Sequence, residues 1–259
     1  MRRGGGDVRS QSSPLSDIIA EARRLTAAAQ QAGTALKLAG GLGVYFHSPS
    51  TRSAPLHREY RDLDFVAPSE QREAIQPLLE SLGYEPDVPF NTLHGHRRLH
   101  YWDVQHRRQV DIFLDQIRMC HVIDLRARLD LPDAVLAPAD LLLTKMQIVE
   151  INMKDLVDVV ALLLDHPTAD GDADTINRSY IAALVGRDWG LYRTLKLNSG
   201  RVLGVLPHLE VAADVVRRRL EELWQAIETR PKSLAWRIRA RIGDRVRWYE
   251  IPEEAGSAG

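Results

Sequence analysis

Apolar residues near the start of the chain recur three and four positions apart: Leu15, Ile18, Ile19, Ala22 and Leu25. This spacing predicts a helix over 15–32, because such residues share one helix face. Short apolar runs at 36–39 and 63–66 predict two strands, each bounded by glycine or proline. Two further runs, at 99–104 and 109–114, are separated by a polar segment and predict a hairpin. The first half therefore contains a sheet with flanking helices.

The first half also contains two predicted helices, at 42–47 and 69–82. The second half has mainly helical periodicity. Helices are predicted there at 139–150, 154–165, 174–185, 188–203, 209–229 and 231–241. Residues 84–96 are rich in Pro, His and Gly and predict an irregular segment. The expected fold class is α+β: an α/β domain at 15–135 with a mixed sheet, then a helical bundle at 136–252. Residues 1–14 and 253–259 are expected to be disordered tails.

Composition places the chain among ordinary globular proteins. Of its 259 residues, 44% are hydrophobic and 27% are charged, and 34 basic side chains against 35 acidic ones give a net charge of −1. No apolar run approaches the length of a membrane span, so no membrane partner is expected. The single cysteine, Cys120, excludes an internal disulfide and a cysteine-based zinc site, and a cytoplasmic location fits best.

Asp62 and Asp64 are the first candidates for chemistry. Residues two apart on a strand point to the same face, so their carboxylates are expected to lie side by side. Two carboxylates in such a position repel unless a cation lies between them, and Mg²⁺ prefers oxygen ligands of this kind. The alternative is a pair of solvated aspartates at a strand end.

Two other segments support the first interpretation. Gly40 and Gly41 follow a strand and open a helix, an arrangement that lets backbone N–H groups approach a phosphate; a plain tight turn is the alternative. Asp111 lies inside an apolar strand, where an acidic side chain is costly without a partner. A third metal ligand would explain it, as would a half-exposed sheet.

This order of motifs resembles the minimal nucleotidyltransferases of the DNA polymerase β-like superfamily. It is most similar to the AbiEii-type toxin nucleotidyltransferases, which carry an arginine four residues before the Asp-x-Asp, as Arg58 stands to Asp62. The chain departs from the family pattern at Tyr60, where Ser or Thr is common, and in a longer insertion at 48–57. Neither departure removes a carboxylate.

The resemblance extends into the second half and covers roughly residues 36–165. Residues 136–145 resemble the helix that bears the family's phosphate-binding lysine, here Lys145. Residues 154–158 resemble its Lys-Asp motif with a second aspartate, here Asp158. From the residues alone, Lys145 lies beside an apolar stripe and either reaches the surface or enters a cleft.

The resemblance implies a nucleotidyltransferase fold, an enzyme that transfers NMP from an NTP to a hydroxyl acceptor, and Mg²⁺ (or Mn²⁺) as cofactor. It assigns the metal to Asp62, Asp64 and Asp111, which with Lys145 are the expected catalytic residues. It assigns nucleotide binding to Gly40, Gly41, Arg58, Lys145 and Asp158. It also suggests an RNA or tRNA end, or a protein, as acceptor, and a toxin role with a cognate antitoxin.

Two clusters remain outside this scheme. Residues 230–249 hold seven basic side chains against Asp244, a local charge of +6, with aromatic residues between them; they predict an RNA surface or a solvated basic helix. A second basic cluster, at 97–98 and 107–108, lies near Asp111 and could bind triphosphate or acceptor RNA. The histidines between 94 and 106 have no zinc-site spacing, so a zinc site there is not expected.

Two other functions remain open on the sequence. One is a non-catalytic RNA-binding protein on the same fold. The other is a small-molecule nucleotidyltransferase of the antibiotic-modifying type, which the basic C-terminal segment disfavours.

Overall fold

The computed structural model describes residues 13–251, which form ten helices and nine strands. The helices are α1 (Ile18–Gln31), α2 (Gly40–His47), α3 (Arg72–Ser81), α4 (Val88–His94), α5 (Pro138–Met146), α6 (Met153–Asp165), α7 (Arg178–Val185), α8 (Trp189–Val205), α9 (Ala213–Thr229) and α10 (Leu234–Ile242). The strands are β1 (Lys37–Leu38), β2 (Leu63–Ala67), β3 (Glu85–Pro86), β4 (Arg98–Asp103), β5 (Arg108–Leu114), β6 (Gln116–Arg118), β7 (Val122–Asp124), β8 (Thr168–Ala169) and β9 (Ile176–Asn177). The α+β class is confirmed. Of the predicted tails at 1–14 and 253–259, residues 1–12 and 253–259 lie outside the described residues.

The main sheet has five strands in the order β1-β2-β5-β4-β3. Strands β2 and β5 run parallel at its centre, and the other neighbouring pairs are antiparallel. The pairs β6–β7 and β8–β9 form two small separate sheets. The sheet is therefore mixed, as predicted, and the predicted hairpin corresponds to β4 and β5.

The two faces of the sheet differ because side chains alternate along each strand. Leu63 and Phe65 of β2, with Val110 and Ile112 of β5, are buried against apolar residues of α1 and α3. The residues between them, including Asp64, point to the opposite face. The sequence pattern of β2 and β5 thus places carboxylates on the face turned away from α1 and α3.

A second apolar cluster fills the space between that face and the later helices. It joins Val66 and Phe113 of the sheet to Leu142 of α5 and Leu220 of α9. These residues come from both sides of the predicted domain boundary at residue 135, and that boundary stays a prediction. Among residues 13–251, no helix combines the length and the apolar character needed to cross a bilayer.

The segment before α5 is fixed to the edge of the sheet. The Leu38 N–H donates to the Ala134 carbonyl at 2.8 Å, and the Leu136 N–H donates to the Leu38 carbonyl at 2.9 Å. Pro138 then starts α5, which suits proline because the first helical N–H needs no partner. This attachment brings α5 beside α2 and β2.

Three predicted boundaries were wrong. The segment 84–96, predicted as irregular, contains β3 and α4, because the Asp87 side chain accepts from the Phe90 N–H at 3.0 Å and starts a short helix. The helix predicted at 139–150 ends at Met146. The helix predicted from 174 begins at Arg178, because Asn177 caps it.

Candidate functional site

Two of the predicted carboxylates lie side by side on the central strands. Asp64 of β2 and Asp111 of β5 are register partners, so their side chains leave the same face of the sheet on adjacent strands. Asp111 is buried and Asp64 is half-buried. Asp62 precedes β2 by one residue and its side chain is exposed.

Burial and mutual repulsion change the acidity of this group. Burial, and then the charges of Asp111 and Asp62, together raise the pKa of Asp64 to about 7, although Lys145 and Arg98 oppose this. Partial burial, and then the charge of Asp111, raise the pKa of Asp62 above its ordinary value. The site therefore holds more negative charge than its surroundings neutralise.

The three carboxylates are not gathered as tightly as a bound ion would require. Within residues 13–251, the carboxylate oxygens of Asp62, Asp64 and Asp111 do not all lie within 4.8 Å of one another. A set of three ligand atoms that does meet this distance is formed by other residues. Like charges spread apart when no cation lies between them, and Asp62 is free to do so because it lies outside the strand. Asp62 must turn inward before all three can share one ion.

Arg98 of β4 already pairs with Asp111. Its Nε donates to Asp111 Oδ1 at 2.8 Å, and its guanidinium carbon lies 4.8 Å from the centre of the Phe113 ring. Because the contact uses Oδ1, the other carboxylate oxygen, Oδ2, is the one that can be offered to a cation. Arg98 belongs to the second basic cluster, whereas Arg108 of the same cluster pairs with Asp103.

The diglycine opens α2 directly against the carboxylates. Gly40 has φ +59°, and a Cβ at this position would collide with Asp64 Oδ2. A Cβ on Gly41 would collide with the Arg58 guanidinium. Both glycines are therefore needed for close packing, and α2 has no side-chain cap on its first N–H groups. These N–H groups and the positive end of the helix dipole suit an anion.

Lys145 and Arg58 converge on one buried carboxylate. Arg58 makes two hydrogen bonds to Asp158, from Nε at 2.9 Å and from Nη2 at 2.7 Å. Lys145 Nζ lies 3.0 Å from Asp158 Oδ2 and 2.6 Å from Asp155 Oδ1. Asp158 is fully buried, and these two cations compensate its charge. The nearby aspartates raise the pKa of Lys145 although burial opposes this, so the lysine stays protonated.

Two adjoining clefts connect these groups. Their cavity volumes are about 150 Å³ and about 180 Å³, and both are lined by Asp64, Lys145 and Asp155. The first also contains Gly40 and Phe113, and the second contains Gly41, Arg58 and Asp62. The predicted site residues other than the buried Asp111 and Asp158 thus line these adjoining clefts; Asp158 bonds to the lining side chains Arg58 and Lys145, and Asp111 lies beside Asp64 on the next strand.

Two participants were not among the predicted site residues. Asp155 was noted only within the Lys-Asp motif of residues 154–158; it accepts a hydrogen bond from Lys145 Nζ, and its backbone N–H donates to Asn152 Oδ1 at 2.9 Å. Arg98 was named only within a basic cluster. The signal for Arg98 lies in the strand register, since it is diagonal to Asp111 on the next strand.

The other two clusters are occupied differently. His100 Nδ1 lies 3.2 Å from Asp87, and His106 Nδ1 lies 2.9 Å from Asp103, so these histidines have separate partners. At the C-terminal segment, Trp248 Nε1 donates to Thr194 Oγ1 at 3.1 Å and its ring packs on Trp189. The exposed basic residues there are Arg230, Arg237, Arg241, Arg245 and Arg247.

No protein-family model matches the chain, and a comparison with curated proteins finds no match. Any functional assignment therefore rests on the geometry of the site and on the order of its motifs.

Proposed function

We propose that this protein is a metal-dependent nucleotidyltransferase of the DNA polymerase β-like kind, most like the AbiEii-type branch. The observation that carries the proposal is the alignment of Asp64 and Asp111 on parallel central strands, with Asp64 lining a cleft that also holds Lys145 and Gly40 at the N-terminus of α2. An acidic wall and a cationic, N–H-rich wall on either side of one cleft suit a metal-bound triphosphate.

The residues present fit Mg²⁺ or Mn²⁺. The raised pKa of Asp64 reports negative charge that lacks a counterion, and carboxylate oxygens are the ligands these hard cations prefer. Asp64 and Asp111 would hold the metal, and Asp62 would join them by turning inward. When bound, the metal supplies charge neutralisation at the phosphates and lowers the pKa of the attacking hydroxyl.

The chain's own cationic groups would bind the triphosphate. Lys145 lines both clefts, and its ion pairs with Asp155 and Asp158 hold the ammonium in one position. Arg58 orients Asp158 and so acts on Lys145 indirectly. The backbone N–H groups of Gly40 and Gly41 would donate hydrogen bonds to phosphate oxygens.

The reaction needs little more than position and charge. The acceptor oxygen bonds to the α-phosphorus and its proton passes to solvent water. The bond between the α-phosphorus and the oxygen that it shares with the β-phosphorus breaks, and pyrophosphate leaves with that electron pair. The side chains described here hold the reactants in line and oppose the negative charge that accumulates, which are the main contributions to catalysis in phosphoryl transfer.

Exposed basic side chains favour a polyanionic acceptor over a small one. Arg61 and Lys154 are exposed at the second cleft, and Arg237 and Arg241 are exposed on α10. Exposed arginine and lysine contact phosphates, so an RNA or tRNA end is the acceptor that this charge distribution fits best. A protein acceptor, the toxin role and the antitoxin partner rest on the resemblance alone.

The alternative of a non-catalytic RNA-binding protein draws on the pairing of Arg98 with Asp111, which partly neutralises the acidic wall without a metal. Under that alternative, RNA binds and no nucleotide is transferred.

The test is incubation of the protein with each α-labelled NTP in Mg²⁺, together with total RNA, cell protein and a small-molecule pool. We expect label in the RNA fraction, and a loss of at least about 100-fold for Asp64→Asn. The matched control is Glu210→Gln, which makes the same carboxylate-to-amide change at an exposed position. Absence of labelled product in every fraction would reject the enzyme, while RNA binding without transfer would favour the binding protein.

A further inference from the structure

A second cluster of potential ligands lies at the far end of α2 from the diglycine. His47 is the last residue of α2, His166 directly follows α6, and Asp174 lies between β8 and β9. His166 is buried, His47 is half-buried and Asp174 is exposed. One ligand atom from each of the three lies within 4.8 Å of the others.

The spacing of these atoms is close to that of a metal centre. His166 Nδ1 lies 3.1 Å from Asp174 Oδ1, and His47 Nδ1 lies 3.9 Å from the same oxygen. Ligand atoms around a tetrahedral Zn²⁺ lie about 3.4 Å apart, given bond lengths near 2.0–2.1 Å. The two separations from Asp174 Oδ1, 3.1 Å and 3.9 Å, lie on either side of that spacing, and the exposed Asp174 side chain can adjust its position between the imidazoles.

The hydrogen bonds of His47 leave the correct nitrogen available. Its Nε2 lies 3.0 Å from the Leu136 carbonyl, which can only accept, so Nε2 carries the proton. Nδ1 then presents its lone pair towards Asp174. A backbone carbonyl in this role is the usual outer partner of a metal-bound histidine.

His166 can adopt the matching tautomer. Its Nδ1 lies 3.2 Å from the Asp174 backbone carbonyl, so it carries the proton when no metal is bound. Its Nε2 lies 3.5 Å from Ser48 Oγ. After a change of tautomer, the Nε2–H can donate a hydrogen bond to this hydroxyl oxygen. Asp174 has φ +57°, a left-handed conformation that directs both its carbonyl and its carboxylate towards His166.

We propose that His47, His166 and Asp174 form a binding site for a transition-metal ion of the Zn²⁺ type, with water as the fourth ligand. Two imidazoles and one carboxylate suit such an ion and do not suit Mg²⁺, which prefers oxygen ligands. The ion would tie the end of α2 to the segments after α6 and before β9. The helix α2, which begins with the diglycine, would then be held at both ends. The bound ion would fix the position of α2 beside the cleft and would take no part in the reaction.

The test is calorimetric titration of the metal-free full chain with Zn²⁺ in excess Mg²⁺, which keeps the aspartates occupied by the harder ion. We expect binding of one equivalent, and a visible absorption band of a four-coordinate ion when Co²⁺ is used. His47→Gln keeps a donor for the Leu136 carbonyl and removes the ligand nitrogen; Asp174→Asn keeps the exposed turn and removes the charge. Each is expected to weaken Zn²⁺ binding by at least about tenfold.

The matched control is His106→Gln. His106 also contacts an aspartate through Nδ1, at 2.9 Å from Asp103, but Arg108 lies there in place of a second imidazole. This variant should bind Zn²⁺ as the wild type does. Failure of the wild type to bind one equivalent in Mg²⁺, or wild-type binding by both His47→Gln and Asp174→Asn, would overturn the proposal. Asp174→Asn keeps the test decisive if His47→Gln does not fold, because Asp174 is exposed.

Discussion

Replacing Asp64 by asparagine should make the metal-free protein more stable while it abolishes transfer. The folded state raises the pKa of Asp64 from 3.8 to about 7, so ionised Asp64 opposes folding. An asparagine has the same shape, carries no charge, and can donate a hydrogen bond to Asp111, its register partner. The variant removes the repulsion without leaving a cavity.

The direction with pH follows from proton binding. Between pH 3.8 and about 7 the folded protein holds a proton on Asp64 that the unfolded chain releases, so wild-type stability falls as the pH rises through this range. Each tenfold difference in proton affinity is worth about 1.4 kcal/mol, so the gain from Asp64→Asn is at most about 4 kcal/mol near pH 8 and about 1.6 kcal/mol near pH 5.

Urea unfolding in chelator at the two pH values measures this gain directly. Glu210→Gln should change the free energy of unfolding by no more than about 0.5 kcal/mol at either pH, because its carboxylate is exposed. Added Mg²⁺ should stabilise the wild type and leave Asp64→Asn unchanged. An Asp64→Asn variant that is no more stable than the wild type near pH 8, or whose gain is the same at both pH values, would refute the account of an uncompensated charge.

Three further substitutions test other parts of the site. Gly40→Ala should cost at least about 2 kcal/mol in thermal unfolding and stop transfer, because its Cβ meets Asp64, whereas Gly33→Ala, with φ +68° and open space around it, should cost only about 1 kcal/mol. Lys145→Ala should lower the free energy of unfolding in urea by about 3 kcal/mol and raise the KM for NTP, while Lys196→Ala at an exposed position should do neither. Arg98→Met should enlarge the rise in Tm caused by Mg²⁺, because it leaves Asp111 without its cation; an unchanged rise would argue against metal binding at Asp111.

The carboxylate pair was predictable because its evidence is local. An aspartate inside an apolar strand needs a partner wherever that strand lies, and the alternation of β2 and β5 determines which face receives it. The prediction for Asp62 was less complete, since the strand begins one residue later and leaves its side chain exposed. The diglycine was also visible, although the collision that requires Gly40 depends on how closely α2 approaches Asp64.

The cationic side of the cleft depends on contacts between distant segments. Arg58 and Asp158 are 100 residues apart, and their bond requires α6 to pack against the segment before β2. Arg98 reaches Asp111 only through the β4–β5 register. The His47 cluster depends on β8 and β9, two strands of two residues each that carry too little pattern to predict. Such contacts follow from packing and not from any single stretch of sequence.

The distribution of charge across the cleft explains why these contacts occur together. Lys145 and Arg58 are balanced by Asp155 and Asp158, so the cationic wall is complete in the protein alone. The acidic wall has Arg98 beside Asp111, yet burial and the neighbouring carboxylates keep the pKa of Asp64 raised, so among the described residues its charge is only partly balanced. A protein selected only for stability would neutralise both walls, since an uncompensated buried charge lowers the free energy of unfolding. The imbalance is therefore best explained by a ligand that brings positive charge to the acidic wall, which is what a metal-bound nucleotide does.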